Sequence, residues 1–361
     1  MRYVLAGLGP RVVGAAVILL LAAGHGQLPR AQSAGAPGSP FVLTGSGRID
    51  ALVAGARKEG RLTWYTSLAG PVVSAVANAF GKKYPFIKVS TFRAAENVLA
   101  TKAAQEAQAG QHSWDVMEAP AANVLILEQQ GFLIPYVSPF AAALPAEFTW
   151  KARDDQVWAA ADRVSYIGYA YNTTLIPASA VPKTLEDLLN PALKGRVGIV
   201  TTTTGIRWIG GVLHGLGTAK GEEFLAKIAQ QDWKVQSISG AAEMGLVAGG
   251  QEASSVTIFN DHEAQEEAKG APVRWVALPP VVANVGAVVA NKHAPAPAAA
   301  MLFIDFLLGP DGQAVLKEYK YATPATHVSF SYWVPETGLT ATQYQAAFDR
   351  WKALFKRTFG R

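Results

Sequence analysis

The chain has 361 residues, half of them hydrophobic and 16% charged, with a formal net charge of +5 and no cysteine. That length supports a large buried core and favours two domains. Without cysteine there is no disulfide framework, no thiolate metal site, no thiol nucleophile and no lipidated anchor, and the dispersed basic residues form no arm or stripe suited to nucleic acid.

At the start, Arg2 and Arg11 precede the apolar run Val12 to Gly24, and small residues follow around Ala31 to Ala36. A basic start, a short apolar stretch and a small-residue exit predict a signal peptide over residues 1–34. The run is shorter than the roughly 20 apolar residues that span a bilayer, and an uncleaved anchor is the alternative. The Gly-, Pro-, Ala- and Ser-rich stretch behind it predicts a disordered leader over residues 35–48. The expected location is therefore the periplasm, without a lipid anchor.

From about Ile49, strand-like and helix-like segments alternate. Residues 61–67 form a β-branched and aromatic run, followed by a helical pattern over 71–84; a strand over 87–93 and a helix over 96–109 repeat the unit. Residues 114–118 predict a third strand, with 123–130 helical behind it. Residues 157–172 are a long extended stretch with Asp162, Arg163 and Ser165 in its middle. A short capped helix over 184–189 follows, then a strand over 196–201 and helices near 206–216 and 222–230. A strand near 235–238, a helix near 241–248 and a strand over 254–259 continue the pattern. Strands over 272–278 and 282–291 precede three closing helices, 297–308, 313–319 and 341–355. Strands alternating with helices of this length predict an α/β fold, with mainly parallel sheets flanked by helices. Two such runs, joined by an extended stretch and followed by a return, predict two lobes: 49–162 with 278–361, and 163–277. Ligands in such folds sit in the cleft, beyond the carboxyl ends of the strands.

Thr201-Thr202-Thr203-Thr204-Gly205 lies between a strand and a helix, where hydroxyls and unpaired amides favour an anion; an ordinary threonine cap is the plainer reading. Thr66-Ser67 makes a similar turn in the first lobe. Arg93 at a strand end and Arg163 in the extended stretch offer bidentate contacts to carboxylate or phosphate, or brace a lobe. Tyr65, Tyr166 and Tyr171 are candidates to wall the cleft, against core packing as the alternative. Glu118 ends the third strand, and Ser165 accompanies Arg163. Asp261 and His262 are the candidates for polar ligand contact and, more remotely, for a metal, with Glu263 and Glu266 beside them; the alternative is an N-cap and an acidic first turn. Phosphate loops, HExxH and GxSxG are absent, so no catalytic residue and no cofactor is assigned.

Several strings carry a resemblance: Lys58 to Ser67 (KEGRLTWYTS), Phe80 to Pro85 (FGKKYP) leading to Arg93, Tyr171-Asn172, Leu193 to Gly198 (LKGRVG), and Phe303 to Gln313 (FIDFLLGPDGQ). Over about residues 51–325 the chain resembles bacterial extracellular solute-binding proteins of the ferric-iron-type group. The resemblance implies a type II periplasmic-binding-protein fold, with two lobes, two hinge crossings and closure on a small solute. It also implies a monomer that delivers to the membrane permease of an ABC transporter, and not an enzyme. Ferric-binding members hold Fe(III) with two adjacent tyrosines; here Asp261 and His262 stand at those positions, which argues against bare ferric ion bound that way. Together with the Thr, Ser and Arg groups this points to a small anionic solute of carboxylate, phosphate or phosphonate type. Ferric iron or a ferric complex is the alternative within the class, and a periplasmic enzyme or a sensory adaptor the alternative outside it.

Overall fold

The computed structural model describes residues 38–360 except 95 and 154. The signal peptide expected over residues 1–34 lies outside the described residues. Residues 40–42 form a 3-10 turn in which Phe41 is buried in the core, and the Phe41 carbonyl accepts a hydrogen bond from the Val137 amide at 2.8 Å. The disordered leader expected over 35–48 is corrected for this part. An aromatic ring with a core to enter outweighs the chain entropy of ordering a few residues. Arg48 secures the end of the segment, donating to the carbonyls of Leu43 and Val137 and pairing with Asp305.

The first helix, α1 (Arg48–Glu59), stops at Gly60, whose left-handed φ of 64° lets its amide bond back to the Ala56 carbonyl. Behind it come β1 (Arg61–Thr66), α2 (Gly70–Lys83), β2 (Lys88–Arg93), α3 (Glu96–Gln108), β3 (Val116–Pro120) and α4 (Ala121–Gln129). The short elements β4 (Leu133–Ile134), α5 (Pro139–Ala142) and β5 (Thr149–Arg153) lead into the 17-residue strand β6 (Gln156–Asn172). Next are β7 (Val197–Val200), α6 (Thr203–Leu216), α7 (Thr218–Ile228), β8 (Lys234–Gln236), α8 (Gly240–Ala248), β9 (Ser254–Phe259), α9 (Asn260–Glu267) and β10 (Val273–Val276). The chain closes with β11 (Val281–Asn291), α10 (Pro297–Leu308), α11 (Pro310–Glu318), β12 (Tyr332–Trp333) and α12 (Ala341–Phe359).

Two parallel sets of strands result: β1 with β2 and β3, and β7 with β8 and β9. They are joined by β6 and β11, which pair antiparallel with each other. Beyond that shared stretch, β11 pairs with β3, and β6 pairs with β9 and β10. One ladder thus runs β2-β1-β3-β11-β6-β9-β7-β8 through a two-lobed α/β fold. Its register shifts once in the β6–β11 pair: Gly286 faces Arg163 and Ala287 faces Ala161, so Asp162 is the extra residue of a bulge. Gln313 Nε2 satisfies the carbonyl this frees, reaching Asp162 O at 2.8 Å. A Cβ on Gly286 would lie 2.8 Å from the Arg163 side chain, so the crossing needs a glycine there.

One apolar cluster gathers Trp64, Phe80 and Phe303 against the almost wholly buried helix α10. The Glu59 carboxylate caps that helix, accepting from the Ala298 and Ala299 amides at 3.0 and 2.8 Å. A second cluster gathers Trp208, Ile209, Phe224 and Val256. Residues 341–359, grouped by sequence order with the first lobe, put Tyr344, Trp351, Leu354 and Phe355 into this second cluster, and α12 packs on α6 and α7. The apolar residues share one helical face, and a Thr340–Gln343 capping box starts the helix.

Candidate functional site

β1, β2 and β3 end side by side, with Thr66 in register with both Arg93 and Glu118. Glu118, fully buried, is the hub of this edge. Its Oε2 accepts from the Thr66 hydroxyl at 2.7 Å and the Ser67 amide at 3.2 Å. From β6, Arg163 donates to Oε1 of the same carboxylate through Nε at 3.1 Å and Nη2 at 2.8 Å. That Nη2 also lies 3.4 Å from Ser67 Oγ, and the guanidinium stands 5.4 Å from the centre of the Tyr321 ring. Burial works against the charge on Arg163, but Glu118, together with smaller pushes from Tyr321, Asp162 and Asp261, outweighs it and raises the guanidinium pKa. Arg163 is therefore committed to Glu118 rather than free for a ligand, a correction to its expected role.

Two further carboxyl groups adjoin the pair. Asp162 is buried, and among the described residues neither of its side-chain oxygens has a hydrogen-bond partner. Burial, and then the Glu118 charge, push its pKa up to about 8. Asp261 comes from the other lobe, in the first turn of α9, and is 1% exposed. Its Oδ1 has no partner among the described residues, and its Oδ2 is 3.9 Å from His262 Nε2. The Asp261 charge is felt at both Arg163 and Tyr321, and burial holds the Tyr321 hydroxyl up at about 12.

The second lobe presents the threonine turn between β7 and α6. Thr202 takes the N-cap position without a side-chain capping bond, and Thr201 Oγ1 lies 3.4 Å from Ser237 Oγ. All four threonines are half-buried. Among the described residues no side-chain hydrogen bond is made by Thr202, Thr203 or Thr204 at the start of this 14-residue helix, where the first-turn amides lack intrahelical acceptors. Gly205 is obligatory, because a Cβ there would lie 1.9 Å from the Val200 carbonyl oxygen. The neighbouring β9–α9 turn is stapled to β6 by Asn260, whose Oδ1 accepts from the Tyr166 amide at 2.7 Å. His262 packs edge-on to Phe259 at 5.2 Å, and its Nδ1 is buried without a partner among the described residues.

Not every sequence candidate reaches this region. Tyr65 is turned into the first-lobe core, donating to the Glu106 carboxylate and packing on Phe92 and Trp114. Tyr166 packs on Phe330 and Tyr332, and burial raises its pKa. Tyr171 stacks on Tyr169. Ser165 is buried on β6 beside the pair. Arg93 is exposed, and its Nε donates to the Leu68 carbonyl at 3.1 Å, aligning it along the β1–α2 turn. Among the described residues no group of three or more His, Asp or Glu side chains is placed to hold a metal, and Glu266 pairs with Lys269. The sequence reading missed Tyr321, which no local pattern announces. It also missed the unpaired state of Asp162, whose position inside an apolar strand was the available signal.

Residues 124–340 match the model of a family described as bacterial extracellular solute-binding protein. No curated protein sequence matches. Among solved structures, iron-bound HitA from Pseudomonas aeruginosa superposes with a TM-score of 0.67 at 21% identity, over 82% of this chain and 99% of that one. The substrate-binding protein of an ABC transporter from Agrobacterium tumefaciens gives a TM-score of 0.68 at 15% identity, over 81% and 94%. AfuA from Actinobacillus pleuropneumoniae, with fructose-6-phosphate bound, gives 0.62 at 22% identity, over 83% and 97%. At these identities the likeness shows the fold.

Proposed function

Since the chain belongs to the bacterial extracellular solute-binding proteins, we propose that it is the periplasmic capture component of an ABC importer and that it carries a small anionic solute. The observation that carries the anionic reading is the threonine turn at the carboxyl edge of β7, where among the described residues the hydroxyls of Thr202, Thr203 and Thr204 make no hydrogen bond at the N-terminus of α6. Backbone dipoles and donors there point the same way, toward negative charge. Arg93, whose exposed guanidinium stands at the matching edge of the first lobe, supplies a second anion contact. AfuA, a structural neighbour, holds a phosphorylated sugar on the same fold.

The mechanism is differential binding. A solute that touches both lobes stabilises the closed arrangement over the open one, and it shifts that equilibrium only by its difference in affinity for the two. β6 and β11 are the moving parts, bending at the Asp162 bulge, and the closed monomer is the form that the permease recognises. The activity proposed is capture and release, not turnover.

A thermal-shift panel tests this: phosphate, short alkyl phosphonates and carboxylates, Fe(III)-citrate and putrescine. A solute at a hundred times its Kd adds about 2.7 kcal/mol to stability, which reads as a rise of a few degrees. No rise with any anion would sink the anionic reading, and a rise with Fe(III)-citrate alone would replace it with a ferric-complex carrier.

A further inference from the structure

A buried pair of acids stands behind the threonine turn. Glu243 of α8 is fully buried, and Glu252, just before β9, is 3% exposed. Glu243 Oε1 and Glu252 Oε2 have no hydrogen-bond partner among the described residues. Both face the one space where Gly198 of β7 lacks a Cβ, at 2.6 and 2.7 Å from it. The other oxygen of each carboxyl is tied to the backbone that enters the turn. Glu243 Oε2 accepts from the Thr257 hydroxyl at 2.9 Å, and Thr257 Oγ1 in turn accepts from the Val200 amide at 3.1 Å. Glu252 Oε1 accepts from Gln236 Nε2, and the Gln236 carbonyl accepts from the Thr201 amide at 2.8 Å. On its far side, Val200 presents its carbonyl to Gly205 in the first turn of α6. The two residues that lead into Thr202 are thus each one residue removed from one of the two acids.

Two carboxylates held together out of water repel, and a proton between their free oxygens removes the repulsion. We propose that Glu243 and Glu252 share one proton and act as positioning residues for the threonine turn. The turn holds its anion tightly while the pair keeps that proton and loosens its hold as the proton leaves. Ionisation of both acids places a further negative charge behind the anion and pushes apart the side chains that hold Val200 and Thr201. The inference rests on the anionic-solute reading and adds regulation to it. Burial, with a smaller push from Glu252, raises the Glu243 pKa to about 7, so affinity should be highest below that pH and fall through it. The elements packed against α8 also bring Asp162, Arg163, Tyr166, Tyr169 and Tyr171 from β6, and Asp261, His262, Glu263, Glu266 and Glu267 from α9. Arg196, which leads into β7, acts on Tyr169, and β7 and β9 themselves carry no titratable side chain. The charge that acts on Glu243 is that of Glu252.

Isothermal titration of the mature full-length chain at pH 6 and pH 8.5 tests the inference, with inorganic phosphate, methylphosphonate, acetate and succinate as probes. Wild type is compared with Glu243→Gln, which keeps the shape of the protonated acid, so that each probe's own titration is common to both. The expected result is that wild type loses about fivefold more affinity than Glu243→Gln between the two pH values. In the ligand-free chain, the Val200 and Thr201 amide resonances should shift together with a midpoint near pH 7 in wild type and stay in place in Glu243→Gln. Glu252→Gln should move that midpoint down, so a misfolded Glu243→Gln leaves the inference testable. An equal loss of affinity in wild type and variant overturns the proton-sharing pair as a control on capture while leaving the anionic reading in place. Amides of Val200 and Thr201 that do not titrate between pH 5.5 and 8.5 also overturn it. Binding of no probe at either pH overturns the anionic reading, and the inference with it.

Discussion

Arg163 Nη2 and Glu118 Oε1 lie 2.8 Å apart, one on the strand that crosses between the lobes and the other at the end of β3, with both side chains nearly inaccessible to solvent. The pair ties the crossing strand to the carboxyl edge of β3 in the first parallel set.

Glu118→Ala strips a buried guanidinium of its partner. The expected loss is about 3–5 kcal/mol in urea unfolding. The double change Glu118→Leu with Arg163→Met should recover most of it, because the cost lies in the orphaned charge rather than in a missing attraction. A single-variant loss below about 1 kcal/mol would contradict the brace.

Gly205→Ala places a methyl group 1.9 Å from the Val200 carbonyl oxygen, and that neighbour is backbone. Overpacking of this kind costs about 3 kcal/mol or more when no flexible side chain can give way. The threonine turn must shift, so thermal stability and affinity for the anionic probe should fall together.

Arg93→Ala and Thr203→Val remove anion contacts from opposite lobes. A hydrogen bond to a charged group contributes about 1.5–3 kcal/mol, so each variant should weaken binding about tenfold or more in titration calorimetry. Unfolding midpoints without ligand should stay near wild type. Unchanged affinity in both variants would remove the threonine turn and Arg93 from the site.

A pH dependence follows from a second buried group. Glu243 of α8 accepts from the hydroxyls of Ser255 and Thr257 at 2.7 and 2.9 Å, while its Oε1 and Glu252 Oε2 have no partner among the described residues. Both unpaired oxygens crowd the position where Gly198 lacks a Cβ, at 2.6 and 2.7 Å. Burial, with a smaller push from Glu252, raises the pKa of Glu243 from 4.5 to about 7. The folded chain therefore keeps a proton that the unfolded chain releases, and stability falls as pH rises from about 4.5 to about 7, then levels off. The drop is on the order of 3 kcal/mol. Glu243→Gln should lessen the fall by that amount in denaturant titrations across the range, with the shares of Asp162 and Glu263 remaining, and an unchanged slope would remove Glu243 as a cause.

The sequence made β1, β2, β6 and β9 legible because each is dense in β-branched and aromatic residues. β6 read as one long extended run because it is buried through most of its length. Two-residue strands such as β4 and β12 exist only through their pairing with β11, and no local pattern encodes a partner that distant. The helix α1 was obscured by Gly55, a poor helix former. That glycine is there because a Cβ would meet Ala298 at 2.8 Å.

The strand-edge rule placed Thr66, Ser67, Glu118 and the threonine turn at strand ends, where the structure has them. Strand alternation explains why Tyr65 is not with them. The Thr66 hydroxyl bonds to Glu118, so its neighbour Tyr65 faces the other side of the sheet and enters the core. The commitment of Arg163 to Glu118 was beyond reach of the sequence, since the two residues are 45 apart in the chain and meet only when β3 and β6 flank β11.

The two crossing strands have a mechanical consequence. β11 pairs with β3 of one parallel set, β6 pairs with β9 of the other, and the two pair with each other, so the sets are joined through continuous strand pairing. On the proposed hinge mechanism, opening would twist paired strands around the Asp162 bulge, where Gln313 holds the freed carbonyl. The restoring force is therefore built into the sheet. A truncation through β6 would cut the ladder where it pairs with both β11 and β9.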